Sequence, residues 1–308
     1  MRIAALAGGA GAAKFLTGLV AAADPSQIVI IGNTGDDAEF YGLHVSPDLD
    51  IVTYTLAGLV GAEGWGFKDD GVAALEQLGK YGLDTWFRIG DKDLATHVAR
   101  TFWLRSGATL SEATDRIRRA LGVEPQIIPM SDDPVRTRLT TSEGRKLEFQ
   151  EYFVKERHRP EILGIEFFGS GESSPAPGVL SALEDAEIII VCPSNPLISI
   201  GPILSVPGVR DALKSRRDRV VAVSPIVEGA ALKGPADRLL PIAGVSATAS
   251  GVATLYKDFC STFVLDVRDK TEAAAVEDLG IRTLITDTVM KEPAIAIELS
   301  RSILGTAG

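Results

Sequence analysis

Cysteine is scarce in this chain. Cys192 and Cys260 are the only two in 308 residues, and they form no Cys-x-x-Cys pair. A disulfide scaffold and a cysteine-built zinc site are therefore excluded as sources of stability, and a reducing cytoplasm is the expected compartment. Histidine is nearly as scarce: His44, His97 and His158 lie far apart, so no histidine cluster is indicated. Positive charge is also short. The formal net charge is -10, and the single basic run, Lys214 to Arg219, carries no interleaved aromatics and reads as a solvated helix end. A nucleic-acid backbone would be repelled on average, so nucleic acid is not an expected partner. No apolar run reaches the ~18 residues that a spanning helix needs, so no membrane partner is expected either.

The remaining composition, 45% hydrophobic and 23% charged, belongs to a globular chain long enough to bury a core without staples. The opening Met1-Arg2-Ile-Ala-Ala-Leu-Ala, with small residues at Ala21 to Ala23, superficially imitates a secretion signal. Lys14 interrupts it, and Gly8, Gly9 and Gly11 are better used in a strand-turn-helix. Arg2 to Leu6 and Gln27 to Ile31 read as buried strands flanking a helix from Ala12 to Ala22. Glu187 to Cys192 and Arg219 to Ser224 are apolar runs bounded by polar residues, as strands covered on both faces are. Ile281 to Thr286 supplies a last strand and Pro293 to Leu304 a last helix.

Leu94, Val98 and Phe102, then Ala113, Ile117 and Leu121, keep helical spacing, and residues 56–125 read as a helical insertion. Thr137 to Thr141 and Leu147 to Phe153 alternate instead, as exposed antiparallel strands do. Gly169 to Gly178 is a loop. The expected fold class is α/β: a Rossmann-like, doubly wound, mostly parallel sheet in one domain over 1–308, with a helical insertion and a small antiparallel element.

Six segments carry candidate chemistry. Gly8-Gly9-Ala10-Gly11-Ala12-Ala13-Lys14 joins a strand to a helix, where backbone amides can cradle an anion. It has neither the dinucleotide glycine spacing nor the phosphate-loop ending, so tight packing explains it equally well. Asn33-Thr34-Gly35-Asp36-Asp37 would lie at the same sheet edge, and its acids suit magnesium held partly by substrate phosphates, or else a solvated turn. Ser46-Pro47-Asp48-Leu49-Asp50-Ile51-Val52-Thr53 adds two acids, of which Asp50 is preferred as metal ligand or base and either could cap a helix. Asp84 to Asp93 offers Trp86 for stacking and Arg88 for an anion, beside the plainer reading of a capped surface helix. Cys192-Pro193-Ser194-Asn195-Pro196-Leu197-Ile198-Ser199-Ile200-Gly201 and Ser224 to Pro235, which contains Lys233, follow strands and can present hydrogen bonds to a base or phosphate.

Taken in order, these segments together with Gly90 to His97 and Met130-Ser131-Asp132-Asp133-Pro134 resemble the 2-phospho-L-lactate transferase family of coenzyme F420 biosynthesis over nearly the whole chain. One departure is Ala12, which stands where the family pattern carries a further glycine. The resemblance implies a magnesium-dependent transfer from a guanosine diphosphate ester to a ribityl hydroxyl of the deazaflavin Fo, with guanosine monophosphate leaving. It assigns Gly8, Gly9, Gly11, Lys14, Asn33, Ser194, Asn195, Ser199, Gly201 and Lys233 to substrate. Asp36, Asp37 and Asp50 become metal ligands, with Asp37 and Asp50 also catalytic. Asp50, Thr53, Trp86 and Arg88 would face Fo, the insertion supplying part of that pocket. A homodimer is also implied. The competing expectation is a nonenzymatic nucleotide-sugar-binding regulator of the same fold superfamily.

Overall fold

A computed structural model describes residues 1–61, 64–232 and 234–307. The chain opens with β1 (Ile3–Ala7), α1 (Gly9–Ala22) and β2 (Ile28–Gly32), a parallel βαβ unit in which Ala5 pairs with Ile30. A hairpin of β3 (Ala38–Phe40) and β4 (Leu43–Val45) follows, then α2 (Pro47–Leu56). Helices α3 (Ala73–Lys80), α4 (Asp91–Arg105) and α5 (Leu110–Ala120) fill most of the stretch before β5 (Gln126–Pro129). The antiparallel element has three strands, β6 (Arg136–Thr141), β7 (Lys146–Glu148) and β8 (Ile162–Phe168), ordered β7-β6-β8. The expected strand to Phe153 stops at Glu148, because Glu151 to Lys155 close a single π-helical turn.

The second half alternates α6 (Val179–Asp185), β9 (Ile188–Val191), α7 (Ile200–Ser205), α8 (Val209–Ser215) and β10 (Val220–Val223). A short ribbon, β11 (Ile226–Val227) and β12 (Ala230–Ala231), precedes α9 (Ala236–Leu239) and α10 (Ala249–Tyr256). The chain ends with β13 (Thr262–Asp266), α11 (Ala273–Glu277), β14 (Arg282–Thr286) and α12 (Pro293–Leu304). Seven parallel strands form the central sheet in the order β14-β13-β10-β9-β1-β2-β5. Pro129 is tolerated because β5 is an edge strand, where a missing ladder donor costs little.

The strands' period of two distributes apolar side chains to two cores. Ile3 and Ala5 of β1 with Ile188 and Ile190 of β9 pack under α1, α2 and α12. Ala4 and Leu6 with Ile189 and Val191 pack under α6, α7, α8 and α10. Among the described residues no helix is long and apolar enough to cross a membrane.

From β1 the chain winds outward to β2 and β5 on one side, and from β9 to β10, β13 and β14 on the other. The winding therefore reverses between β1 and β9. Crevices at the carboxyl ends of strands form at such reversals.

Candidate functional site

The loops leaving β1, β2 and β9 meet at this reversal. Gly9 has φ of +74°, a left-handed conformation that glycine adopts without penalty. A methyl group on Gly8 would stand 2.5 Å from Asp48 Oδ2 and 2.7 Å from Ser199 Cβ. On Gly11 it would stand 2.5 Å from the Pro193 carbonyl oxygen. The bare backbone is what lets the three loops close on one another. The Gly8 amide donates to Ser194 Oγ at 3.4 Å. Asn195 Oδ1 accepts the amides of Leu197 and Ile198 at 3.0 and 3.3 Å, which folds its loop. Its Nδ2 is buried without a partner among the described residues, a donor free to meet a ligand. Ser199 is buried at the start of α7.

Asn33 organises the second wall. Its Oδ1 accepts the Gly35 amide at 2.8 Å, an Asx turn, while Nδ2 donates to Asp48 Oδ2 at 2.8 Å and to the Ile198 carbonyl at 3.3 Å. Around it Asp36, Asp37 and Asp48 are all buried. Burial pushes the Asp48 carboxyl up to about 7 against hydrogen bonds from Asn33 and the Gly9 amide, with the Asp37 charge raising it further. Burial likewise lifts Asp36 well above the usual carboxylate range, reinforced by the charges of Asp48 and Asp37 and opposed by Gln150, whose Nε2 donates at 3.0 Å. Asp37 Oδ2 accepts from Ser46 Oγ at 2.8 Å and faces His44 Nε2 at 3.0 Å. Its Oδ1 is buried with no partner among the described residues.

Crowded carboxylates with an orphaned oxygen form a hard-oxygen donor set suited to magnesium. Among the described residues no three His, Cys, Asp or Glu side chains converge into a ready-made metal group.

Beside these acids opens a cleft of 590 Å³, bounded by Asp37, Phe40, Trp86, Arg136 and Gln150 among others. Phe40 stacks on Phe87 with ring centroids 3.7 Å apart and meets Trp86 edge-on at 5.4 Å, giving the cleft a rigid aromatic wall.

Asp50 sits in a buried ion pair. Arg100 Nη1 donates to its Oδ2 at 3.0 Å, Arg100 Nη2 holds its Oδ1, and His97 Nδ1 lies 3.7 Å from Oδ2. Arg100 and His97 are 1% exposed, so this is a buried, neutralised pair. Tyr54 extends it by donating to Asp93 Oδ1 at 2.8 Å. A carboxylate already forked by a guanidinium has fewer lone pairs free for a cation or a proton, whereas Asp48, two residues earlier, faces Asn33 and the glycine turn. Lone pairs outside the Arg100 fork still leave Asp50 able to accept from a substrate hydroxyl.

Other expected residues scatter. Thr53 is buried with its hydroxyl on the Leu49 carbonyl at 2.7 Å, bonded within its own helix. Arg88 is exposed, its guanidinium 5.6 Å from the Trp65 ring. Lys14 is exposed on α1. A methyl on Gly201 would meet Phe167 Cζ at 2.8 Å, so packing accounts for that glycine. Lys233 lies outside the described residues. Ala12 is fully buried under the sheet, its methyl part of the core rather than the anion turn.

A family model described as 2-phospho-L-lactate transferase CofD matches residues 3–289. The chain is 42% identical to a phosphoenolpyruvate transferase of Kitasatospora aureofaciens, covering all of this chain and 98% of that one. It is 38% identical to the 2-phospho-L-lactate transferase of Methanosarcina mazei, over 96% of this chain and 97% of that one. A crystal structure of an UPF0052 family member from Bacillus halodurans superposes with a TM-score of 0.66 at 17% identity, covering 98% of each chain, a likeness of fold.

Proposed function

This chain belongs to the 2-phospho-L-lactate transferase CofD family, and from that premise we propose that it moves a phosphorus-bound three-carbon acid, lactate or enolpyruvate, from a guanosine diphosphate ester to a ribityl hydroxyl of the deazaflavin Fo in coenzyme F420 biosynthesis. The observation that carries the reading is the convergence of Gly8, Ser194 and Asn195 with the acids Asp36, Asp37 and Asp48, opening onto an aromatic-walled cleft.

The donor's guanosine monophosphate portion lies along the β1 and β9 loops, where the Asn195 Nδ2 and the backbone around Gly8 and Gly9 receive it. The acceptor's flat ring lies against Trp86 and Phe40. In the transfer, an acceptor hydroxyl oxygen bonds to the phosphorus that carries the acid, the bond from that phosphorus to the guanosine monophosphate oxygen breaks, and the hydroxyl proton passes to Asp37 Oδ1. Asp50, fixed by Arg100, accepts a hydrogen bond from the acceptor. Asp36 and Asp48 would hold magnesium, which supplies neutralisation of phosphate charge when bound. Phosphoryl transfer asks little covalent chemistry of a protein, so positioning and electrostatics carry the rate.

The test is direct. Purified protein with magnesium chloride, Fo and either the lactyl or the enolpyruvyl guanosine diphosphate should yield a new deazaflavin product and guanosine monophosphate, resolved by chromatography. No product from either donor overturns the proposal.

A further inference from the structure

The antiparallel strand β6 places a cation in the cleft for which the machinery above has no use. Its alternation sends Thr137, Leu139 and Thr141 into buried surroundings and leaves Arg136 and Arg138 on the opposite face, bordering the cleft. The two arginines differ in commitment. Arg138 Nε donates to Glu148 Oε1 at 2.8 Å, and its guanidinium lies 3.8 Å from the Phe168 ring centroid. Arg136 makes one hydrogen bond to protein, from Nη1 to the Val135 carbonyl at 3.0 Å, and no salt bridge among the described residues. The rest of its fork is available.

Its backbone is not loose. The Thr137 amide donates to the Gly35 carbonyl at 2.6 Å, which ties the start of β6 to the turn carrying Asp36 and Asp37. Arg136 is half-buried, so a hydrogen bond it makes is partly shielded from water. A guanidinium with no salt bridge among the described residues, lining the same cleft as Asp37, is suited to a planar anion, above all a carboxylate, which it can take with two parallel hydrogen bonds.

Both acids in the relatives' names, phospholactate and phosphoenolpyruvate, carry a carboxylate on the carbon next to the phosphate ester. We propose that Arg136 binds the carboxylate of the three-carbon acid being transferred, and so makes the enzyme select donors that bear one. This rests on the reading of the donor given above. It separates recognition of the acid from that of the nucleotide, which Ser194 and Asn195 handle at the β9 loop. It also makes lactate and enolpyruvate equivalent at this contact, since the carboxylate is common to both.

The experiment compares wild type, Arg136→Gln and Arg136→Lys by calorimetry without acceptor, so that no turnover is needed. The probes are lactyl guanosine diphosphate, the matching ethyl ester that lacks the carboxylate, and guanosine diphosphate itself. Wild type should bind the lactyl ester more tightly than the ethyl ester. Arg136→Gln should erase that difference, weakening the lactyl ester roughly tenfold to hundredfold, the loss expected for a charged hydrogen bond, with the ethyl ester and guanosine diphosphate unchanged. Arg136→Lys should restore part of the preference. Equal weakening of the lactyl and ethyl esters, or weakening of guanosine diphosphate itself, assigns Arg136 to phosphate and overturns the inference. Tight guanosine diphosphate binding by a wild type that ignores the acyl portion also overturns it, whereas no binding of any guanosine probe overturns the functional reading beneath it.

Discussion

Asp37 is the acid whose surroundings are most unequal. One oxygen is satisfied by Ser46 and His44, while the other is buried and unpartnered. Because the bound oxygen fixes the side chain, Asp37→Asn should fold with little change yet lower kcat by roughly 10² to 10⁴, the usual worth of a positioned proton acceptor. Steady-state turnover with a near-ultraviolet spectrum as folding control checks this, and full activity in the folded variant would remove Asp37 from the mechanism. Gly8→Ala tests the other side of the same junction. Its methyl would press on Asp48 and Ser199 at 2.5 and 2.7 Å, so the loops must part, and guanosine diphosphate affinity should drop by at least about tenfold through lost positioning.

At the scale of elements, α2 and α4 are joined by the Asp50–Arg100 pair. Removing one partner strands a charge in a buried layer, so Arg100→Met should destabilise the fold by roughly 3–5 kcal/mol, whereas Asp50→Asn with Arg100→Met together should recover much of the loss. Urea denaturation of Arg100→Met, Asp50→Asn and the double variant measures it, and additive losses would show the pair is not coupled.

This pair also marks what the sequence could and could not reveal. Residues two apart on a helix point roughly 200° away from each other, so Asp48 reaches the glycine turn while Asp50 reaches α4. The Pro-Asp-Leu-Asp segment holds no local sign of how α2 is rotated, and the choice between its acids needed the packed helix. Arg100 and Gln150 come from distant elements and carried no motif. By contrast β9 and β10 were legible, because strands covered on both faces must be apolar throughout. The edge strand β5 was not, since Gln126 and Pro129 leave it only two central apolar residues. In β13 the polar Thr262 and Asp266 at its ends leave only Phe263, Val264 and Leu265 as an apolar run, too short to stand out.

For the whole molecule, the crowded acids couple stability to pH. The unfolded chain releases its Asp protons near ~3.9, whereas folded Asp48 holds its proton to about 7 and Asp36 is displaced in the same direction. Between those values the native state binds more protons than the unfolded one, so stability falls as pH rises. The contribution is complete below the unfolded pKa, is lost progressively through the folded pKa and is flat above it. Each tenfold gain in proton affinity on folding is worth about 1.4 kcal/mol, so Asp48 alone can account for on the order of 4 kcal/mol. Metal-free, nucleotide-free protein should therefore show a lower urea midpoint at pH 8 than at pH 5. Asp48→Asn, which removes the titrating group but keeps an oxygen to accept from Asn33, should flatten that difference and be the more stable protein at pH 8. An unchanged pH slope in the variant would show that the cost of packing these acids together is carried elsewhere. A flattened slope together with lost transfer would show that the charge which weakens the empty fold is the one the reaction uses, the expected relation where a site is built for a ligand that is not yet there.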